Sequence, residues 1–183
     1  MLDTINNSTP SLRDRYEHVR ATSLRLIADL RPEDTVVQTM PDVSPTKWHL
    51  AHVTWFFERF VLEACGQARC NDEYHYLFNS YYNSVGAMHP RPKRGEITRP
   101  TLDEVLDYRA HVDAAMLSLL DAGQIRGDLV EVLVLGLQHE QQHQELLLTD
   151  IKHVLAQNPL RPAARLDLRA PPAVRPPALD FID

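Results

Sequence analysis

VLGLQHEQQHQELLL, the stretch from Val134 to Leu148, decides the fold that this sequence predicts. Its apolar residues recur at helical spacing, and it sets His139 and His143 four residues apart. On a helix this spacing places two imidazoles on one face with Cβ atoms about 5–6 Å apart, so that one metal ion can bind both. The apolar positions that share this stripe with the two histidines are Val132, Gly136, Leu147 and Val154. We therefore predict a metal-binding helix.

Length and charge limit the classes of protein to consider. The chain has 183 residues, 44% of them hydrophobic, which is typical of one folded domain with a substantial core. Its 19 basic and 25 acidic residues give a net charge of 19 − 25 = −6. An acidic chain of this kind is not expected to bind nucleic acid or an anionic membrane surface.

Cellular location follows from three absences in the sequence. The first thirty residues lack the apolar segment of a secretory signal. No apolar run approaches the roughly 20 residues that a membrane span needs. Cys65 and Cys70 form no zinc or redox motif, so we expect them to be reduced thiols. The sequence predicts a soluble, cytoplasmic protein.

Four long amphipathic helices are expected, over about 10–31, 45–66, 101–123 and 128–158. Their starts are predicted at Thr9-Pro10, at Ser44-Pro45, and at capping boxes that begin at Thr101 and Asp128. No segment shows strand alternation. The fold class is therefore all-α, a four-helix bundle formed by residues 1–160. Residues 161–183 are rich in proline and are expected to be a linker or the start of another domain.

Residues 67–100, between the second and third helices, lack helical periodicity but carry five aromatic side chains. We expect a long ordered loop that lines a site, to which Tyr81 or Tyr82 contributes unless both lie in the core. The loop also carries Arg91, Lys93, Arg94 and Arg99. These cations either keep a surface loop hydrated or bind a substrate carboxylate, because guanidinium groups bind carboxylates through two parallel hydrogen bonds.

Two histidines do not make a tight metal site, so a third ligand must come from another element. The second helix offers His49, which shares a face with Val53 and Phe56, and His52, which shares a face with Trp48 and Trp55. Periodicity does not choose between them. Three neutral imidazoles would leave a bound ion its full charge and open coordination positions, an arrangement that favours catalysis over a closed structural site.

The segment HEQQH also matches the HExxH pattern of zinc peptidases, in which Glu140 would be the general base. The pattern is short, and neither the extended motif nor a preceding strand accompanies it. We expect Glu140 instead to be solvated or to orient a metal ligand.

Three segments of the chain resemble one known family. SPTKWHLAHVTWFFERF (44–60), YLFNSYYNSVGAMHPRPKRGEITRP (76–100) and LGLQHEQQHQELLLTD (135–150) are similar, in this order, to the N-terminal DinB-like domain of the ergothioneine-biosynthesis sulfoxide synthases of the EgtB type and of the related selenoneine synthases. The resemblance covers the chain from about Thr9 to Leu160.

The resemblance implies a non-haem Fe(2+) site whose ligands are His52, His139 and His143. It implies that dioxygen joins hercynine to cysteine or gamma-glutamylcysteine, or to a selenium donor, and that Arg91 and Arg94 hold the carboxylate of that donor. In the family, a second domain similar to the formylglycine-generating enzyme supplies the catalytic tyrosine. Because this sequence stops at Asp183, we expect the chain alone to bind iron but to turn over slowly.

Two other functions are compatible with the same residues. A stand-alone metal-dependent thiol transferase would use the ion to lower the pKa of a thiol and would consume no oxygen. A metal-stabilised helical module that docks on a partner through its proline-rich tail would have no activity.

Overall fold

A computed structural model of the protein describes residues 10–80 and 86–165, and in those residues it contains helices and connecting loops but no strand. The all-α fold class is thereby confirmed. Five α-helices occur in the described part of the chain, and the four long ones correspond to the four that the sequence predicts. They are α1 (Leu12–Ile27), α2 (Thr46–Phe57), α3 (Tyr74–Phe78), α4 (Leu102–Asp121) and α5 (Asp128–Gln157).

Of the two capping boxes predicted, at Thr101 and Asp128, the structure contains the first. Thr101 caps α4 and exchanges hydrogen bonds with Glu104. Helix α1, however, begins at Leu12 rather than at Pro10, because Ser11 provides the cap and bonds Asp14. Asp128 is the first residue of α5 rather than its cap, which is Gly127, so the box expected there is wrong. Thr9 lies outside the described residues.

Helix α2 continues beyond Phe57 through a π-helical turn, Glu58–Leu62, and a 3-10 turn, Glu63–Cys65. It ends at Gly66, as predicted, where the backbone adopts a φ of 79° that favours glycine. Every residue from Thr46 to Phe57 is buried. Helix α2 therefore lies inside the molecule, covered on all sides.

Helices that follow one another in the chain are not all neighbours in the bundle. Helices α1 and α2 each pack against both α4 and α5, so that α1 lies diagonally across from α2. Helix α5 packs tightly against α2 at Gly136, where a Cβ atom would lie 2.6 Å from Cε1 of Phe57 and 2.9 Å from Cε1 of Phe56. A glycine at this position lets the two helices that carry the histidines come together.

The segment predicted as a long loop has more regular structure than its sequence indicates. It contains α3 and a 3-10 helix, Arg91–Glu96. Trp48 of α2 donates its indole N–H to the carbonyl of Leu77 at 3.1 Å, which holds α3 against α2. Tyr81 and Tyr82 lie outside the described residues.

Two further expectations concern the thiols and the membrane. Cys65 and Cys70 are free thiols, as predicted. Within residues 10–80 and 86–165, no helix combines the length and the apolar character that crossing a bilayer requires.

Candidate metal centre

The structure brings three imidazoles together, one from α2 and two from α5. The ring centroids of His139 and His143 lie 4.6 Å apart, and the ring of His52 lies 4.9 Å from the first and 4.7 Å from the second. One nitrogen from each ring lies within 4.8 Å of the others, close enough for one ion to be held by all three. Helical spacing sets the pair on α5, and the close approach at Gly136 brings α2 beside it.

The ring of His52 is fixed by stacking and by one hydrogen bond. It lies nearly parallel to the indoles of Trp48, at 4.6 Å and 14°, and Trp55, at 5.8 Å and 18°. Nδ1 lies 2.6 Å from the carbonyl oxygen of Phe78. Because a carbonyl only accepts, Nδ1 of His52 carries the proton, and in the neutral ring Nε2 then has the free lone pair.

His49, the alternative third ligand, also lines the cleft but has both ring nitrogens engaged. Its Nδ1 lies 2.9 Å from Nδ1 of His143, and its Nε2 lies 2.9 Å from Oδ2 of Asp150. The backbone N–H of Ser44 donates to the same carboxylate oxygen at 2.9 Å. His49 therefore contacts a candidate ligand rather than joining the cluster.

The three clustered histidines are held neutral. Burial, followed by the neighbouring imidazole of His139, lowers the pKa of His52 well below its ordinary value of 6.5. Burial lowers the pKa of His139 to about 4, and burial together with the other histidines lowers the pKa of His143 further still. The neutral imidazole is the form that binds metals, so the cluster is ready to bind at pH 7.

One buried atom in the cluster has no partner. Nδ1 of His139 is inaccessible to solvent and makes no hydrogen bond in the described part of the structure. Leaving a buried polar atom unpaired is costly, so this cluster of residues fits a bound metal ion. Three neutral nitrogen donors suit zinc, iron, copper or nickel.

The cluster opens into a cleft of about 290 Å³ rather than into the bundle core. His139 and His143 are partly buried and line this cleft. Arg91 and Arg94 both line this cleft. The remaining two cations considered for a substrate carboxylate lie elsewhere, Lys93 beside Glu96 and Arg99 on the carbonyl of Thr98.

Arg94 is held in the cleft by three neighbours. Its two terminal nitrogens donate to the hydroxyl oxygens of Ser44 and Ser80, each at 2.9 Å. Its guanidinium carbon lies 3.3 Å from the centroid of the Trp48 ring, a cation–π contact. Arg91 donates to the carbonyl oxygen of Asp42 at 2.6 Å. A fixed positive charge therefore lies beside the imidazole cluster.

Glu140 lies in a buried ion pair and is not solvated. It is fully buried, and its carboxylate accepts hydrogen bonds from Arg20, Arg109 and Ser23. Burial alone would raise the pKa of Glu140, but the two arginines outweigh it and lower the pKa from 4.5 to about 2. A carboxylate that holds its proton so weakly and lies in an ion pair is a poor proton acceptor, which disfavours the peptidase hypothesis.

The ion pair around Glu140 belongs to a buried network that sequence reasoning missed. Arg20 also bonds Asp113 at 2.6 Å and Thr54 at 3.1 Å, and Tyr16 donates to Asp113 at 2.6 Å. The available signal was the placement of Arg20 between Tyr16 and Ile27 on the apolar stripe of α1. The network joins α1, α2, α4 and α5.

The fold and the cleft define a helical-bundle protein with a candidate three-histidine metal centre at the edge of the bundle. The sequence matches the family model of the DinB superfamily over residues 15–147, and the chain belongs to this superfamily. A comparison with curated proteins gives no significant match.

Proposed function

We propose that the chain binds one iron(II) ion through His52, His139 and His143 and forms the iron-binding part of an oxygen-dependent enzyme that joins a thiol or selenol to hercynine. The observation that carries the proposal is the placement of three neutral imidazoles in an open cleft beside Arg94. The match to the DinB superfamily supports the metal-binding bundle, and the three motifs quoted above motivate the choice of reaction.

The residues present suit an ion that reacts rather than one that only stabilises the fold. Three neutral ligands leave the ion its full charge, and an open cleft leaves positions for other molecules. When bound, iron(II) supplies one-electron chemistry with dioxygen and a Lewis-acid position for the sulfur. The overall reaction balances as thiol plus hercynine C–H plus dioxygen, giving a sulfoxide and one water.

The basic residues of the cleft would hold the thiol substrate. Cysteine and gamma-glutamylcysteine carry carboxylates, and a guanidinium binds such a group through paired, charge-assisted hydrogen bonds. Ser44, Ser80 and Trp48 fix the Arg94 guanidinium in place, which reduces the entropy lost when the substrate binds. Arg91 lines the same cleft and adds a second positive charge.

Metal content tests the proposed ligands. The chain is loaded anaerobically with iron(II), and bound iron is measured after gel filtration. Wild type is expected to retain about one iron per chain, and alanine variants of His52, His139 or His143 far less. His153→Ala is the matched control, because His153 also lies on α5 and bonds a side chain, Thr39, but does not line the cleft. A histidine whose removal leaves iron content unchanged is not a ligand.

Oxygen consumption separates the proposed oxygenase from a metal-dependent thiol transferase. Iron-loaded protein is supplied with hercynine and cysteine, and dissolved oxygen and sulfoxide are measured. We expect slow turnover by this chain, because the resemblance assigns the catalytic tyrosine to a second domain, and faster coupled oxygen uptake when such a domain is supplied. Thiol transfer to an electrophile at equal rates with and without oxygen would support the transferase instead.

A further inference from the structure

We propose that His49 and Asp150 are positioning residues that select the tautomer of His143 in which Nε2 offers its lone pair to a metal. The inference rests on the proposed metal site, and it concerns two residues that are not ligands themselves. It makes the site a set of five residues, three of which bind the ion and two of which hold one ligand ring in the form that can bind.

The three side chains form a continuous line of hydrogen bonds between α2 and α5. Oδ2 of Asp150 lies 2.9 Å from Nε2 of His49, and Nδ1 of His49 lies 2.9 Å from Nδ1 of His143. His49 is 3% exposed, so water does not compete for these contacts. The N–H of Ser44, two residues before the start of α2, donates to the same carboxylate oxygen at 2.9 Å and fixes the outer end of this line of hydrogen bonds.

The direction of each hydrogen bond follows from the chemistry of the outer group. An ionised carboxylate can only accept, so Nε2 of His49 carries a proton. Burial of His49 favours the neutral imidazole, which has one N–H, so Nδ1 of His49 is an acceptor. The nitrogen facing it, Nδ1 of His143, must therefore be the donor. His143 then has its lone pair on Nε2, the same nitrogen that the carbonyl of Phe78 leaves free on His52.

Without the hydrogen bonds from Asp150 through His49, no side chain would favour one tautomer of His143 over the other. A neutral imidazole protonated on Nε2 could not bind a metal through that atom until the proton moved to Nδ1. The outer hydrogen-bond partners of metal-binding histidines are worth about 10–100-fold in metal affinity. We expect His49 and Asp150 to contribute on this scale.

Nitrogen-15 NMR of the full chain without metal tests the tautomer directly. In protein labelled at the histidine ring nitrogens, His143 is expected to be protonated on Nδ1 and bare on Nε2. In His49→Phe, which fills the space but cannot accept a hydrogen bond, this tautomer is expected to lose its dominance. His49→Asn is the rescue variant, because its amide oxygen can accept from Nδ1 of His143.

Metal titration of the same proteins measures the consequence. We expect His49→Phe and Asp150→Ala to bind cobalt(II), as a probe for iron(II), about 10–100-fold more weakly, with His49→Asn recovering much of the loss. His153→Phe is the control and should bind as wild type does. Thermal unfolding of each metal-free variant identifies any that fail to fold, and Asp150→Ala provides the test if His49→Phe is one of them.

Two results would overturn the assignment: His143 of the wild type protonated on Nε2, or equal cobalt affinities for wild type, His49→Phe and Asp150→Ala. If wild type shows the expected tautomer but binds no metal, the proposed metal site fails while the selection of the tautomer by His49 stands. The two failures are therefore distinguishable.

Discussion

The indole of Trp48 stacks on the imidazole of His52, with ring centroids 4.6 Å apart and 14° between the planes. The same indole lies 3.3 Å from the guanidinium carbon of Arg94. One side chain of α2 therefore supports both a candidate metal ligand and the cation proposed to hold the thiol substrate.

Replacing Trp48 should impair both functions of the cleft. In Trp48→Leu, Arg94 loses a cation–π contact of about 0.5–2 kcal/mol, so we expect cysteine to bind the metal-loaded protein about 2–30-fold more weakly. Cobalt(II) affinity should fall as well, because the His52 ring loses its stacking partner. Calorimetric titration measures both. Tyr76→Leu, which removes an exposed aromatic outside the cleft, should change neither affinity, and an unchanged Trp48→Leu would contradict the coupling.

Much of the fold could be predicted because its signals are local. Apolar periodicity revealed the four long helices, and the capping box at Thr101 showed where α4 begins. The i, i+4 spacing of His139 and His143 predicted that their rings would meet. These features depend on residues within one or two helical turns, which is the range over which a sequence pattern constrains geometry.

The partners that come from distant elements could not be read from spacing. Periodicity left His49 and His52 equal, and it was the family resemblance that pointed to His52. The fold places His52 in the cluster, while His49 meets Asp150, 101 positions along the chain. Solvation, one of the two roles expected for Glu140, is wrong because the side chain is buried, although an isolated charged residue on a helix is usually solvated. The two arginines that stabilise it come from α1 and α4, and no local pattern joins them.

Removing the charge of Glu140 should destabilise the bundle strongly. Glu140→Gln leaves Arg20 and Arg109 buried without their shared carboxylate, and breaking a buried ion pair costs about 3–5 kcal/mol. Urea denaturation followed by circular dichroism measures the free energy of unfolding. Glu145→Gln changes an exposed glutamate on the same helix and should have little effect. Equal stabilities would show that the network contributes nothing.

The same carboxylate predicts an acid dependence of stability. The pKa of Glu140 is lowered from 4.5 to about 2 in the folded protein, so the unfolded chain binds its proton more readily. The stabilisation, about 3 kcal/mol, is present above pH 4.5 and is lost as the pH falls towards 2. Denaturation curves of metal-free protein across this range should show the loss. The loss of stability should be smaller in Glu140→Gln. Identical pH profiles for wild type and this variant would contradict the assignment of the acid dependence to Glu140.

Closing the gap between α2 and α5 with a methyl group should be costly. In Gly136→Ala, the new Cβ would lie 2.6 Å from Cε1 of Phe57, and this ring is fully buried. Overpacking of this kind costs about 1–3 kcal/mol, more than the helix propensity that alanine gains. Urea denaturation measures the change. The control Gln141→Ala lies on an exposed part of α5, and a Gly136→Ala protein as stable as this control would contradict the close packing.

Anomalous diffraction from crystals of the iron-loaded protein tests the central claim most directly. Difference maps from data collected on either side of the iron absorption edge locate the ion independently of any assumed ligand. We predict one peak, about 2.0–2.2 Å from a nitrogen of each of His52, His139 and His143. A peak that touches only the two histidines of α5, or one that lies elsewhere in the protein, would contradict the three-histidine centre.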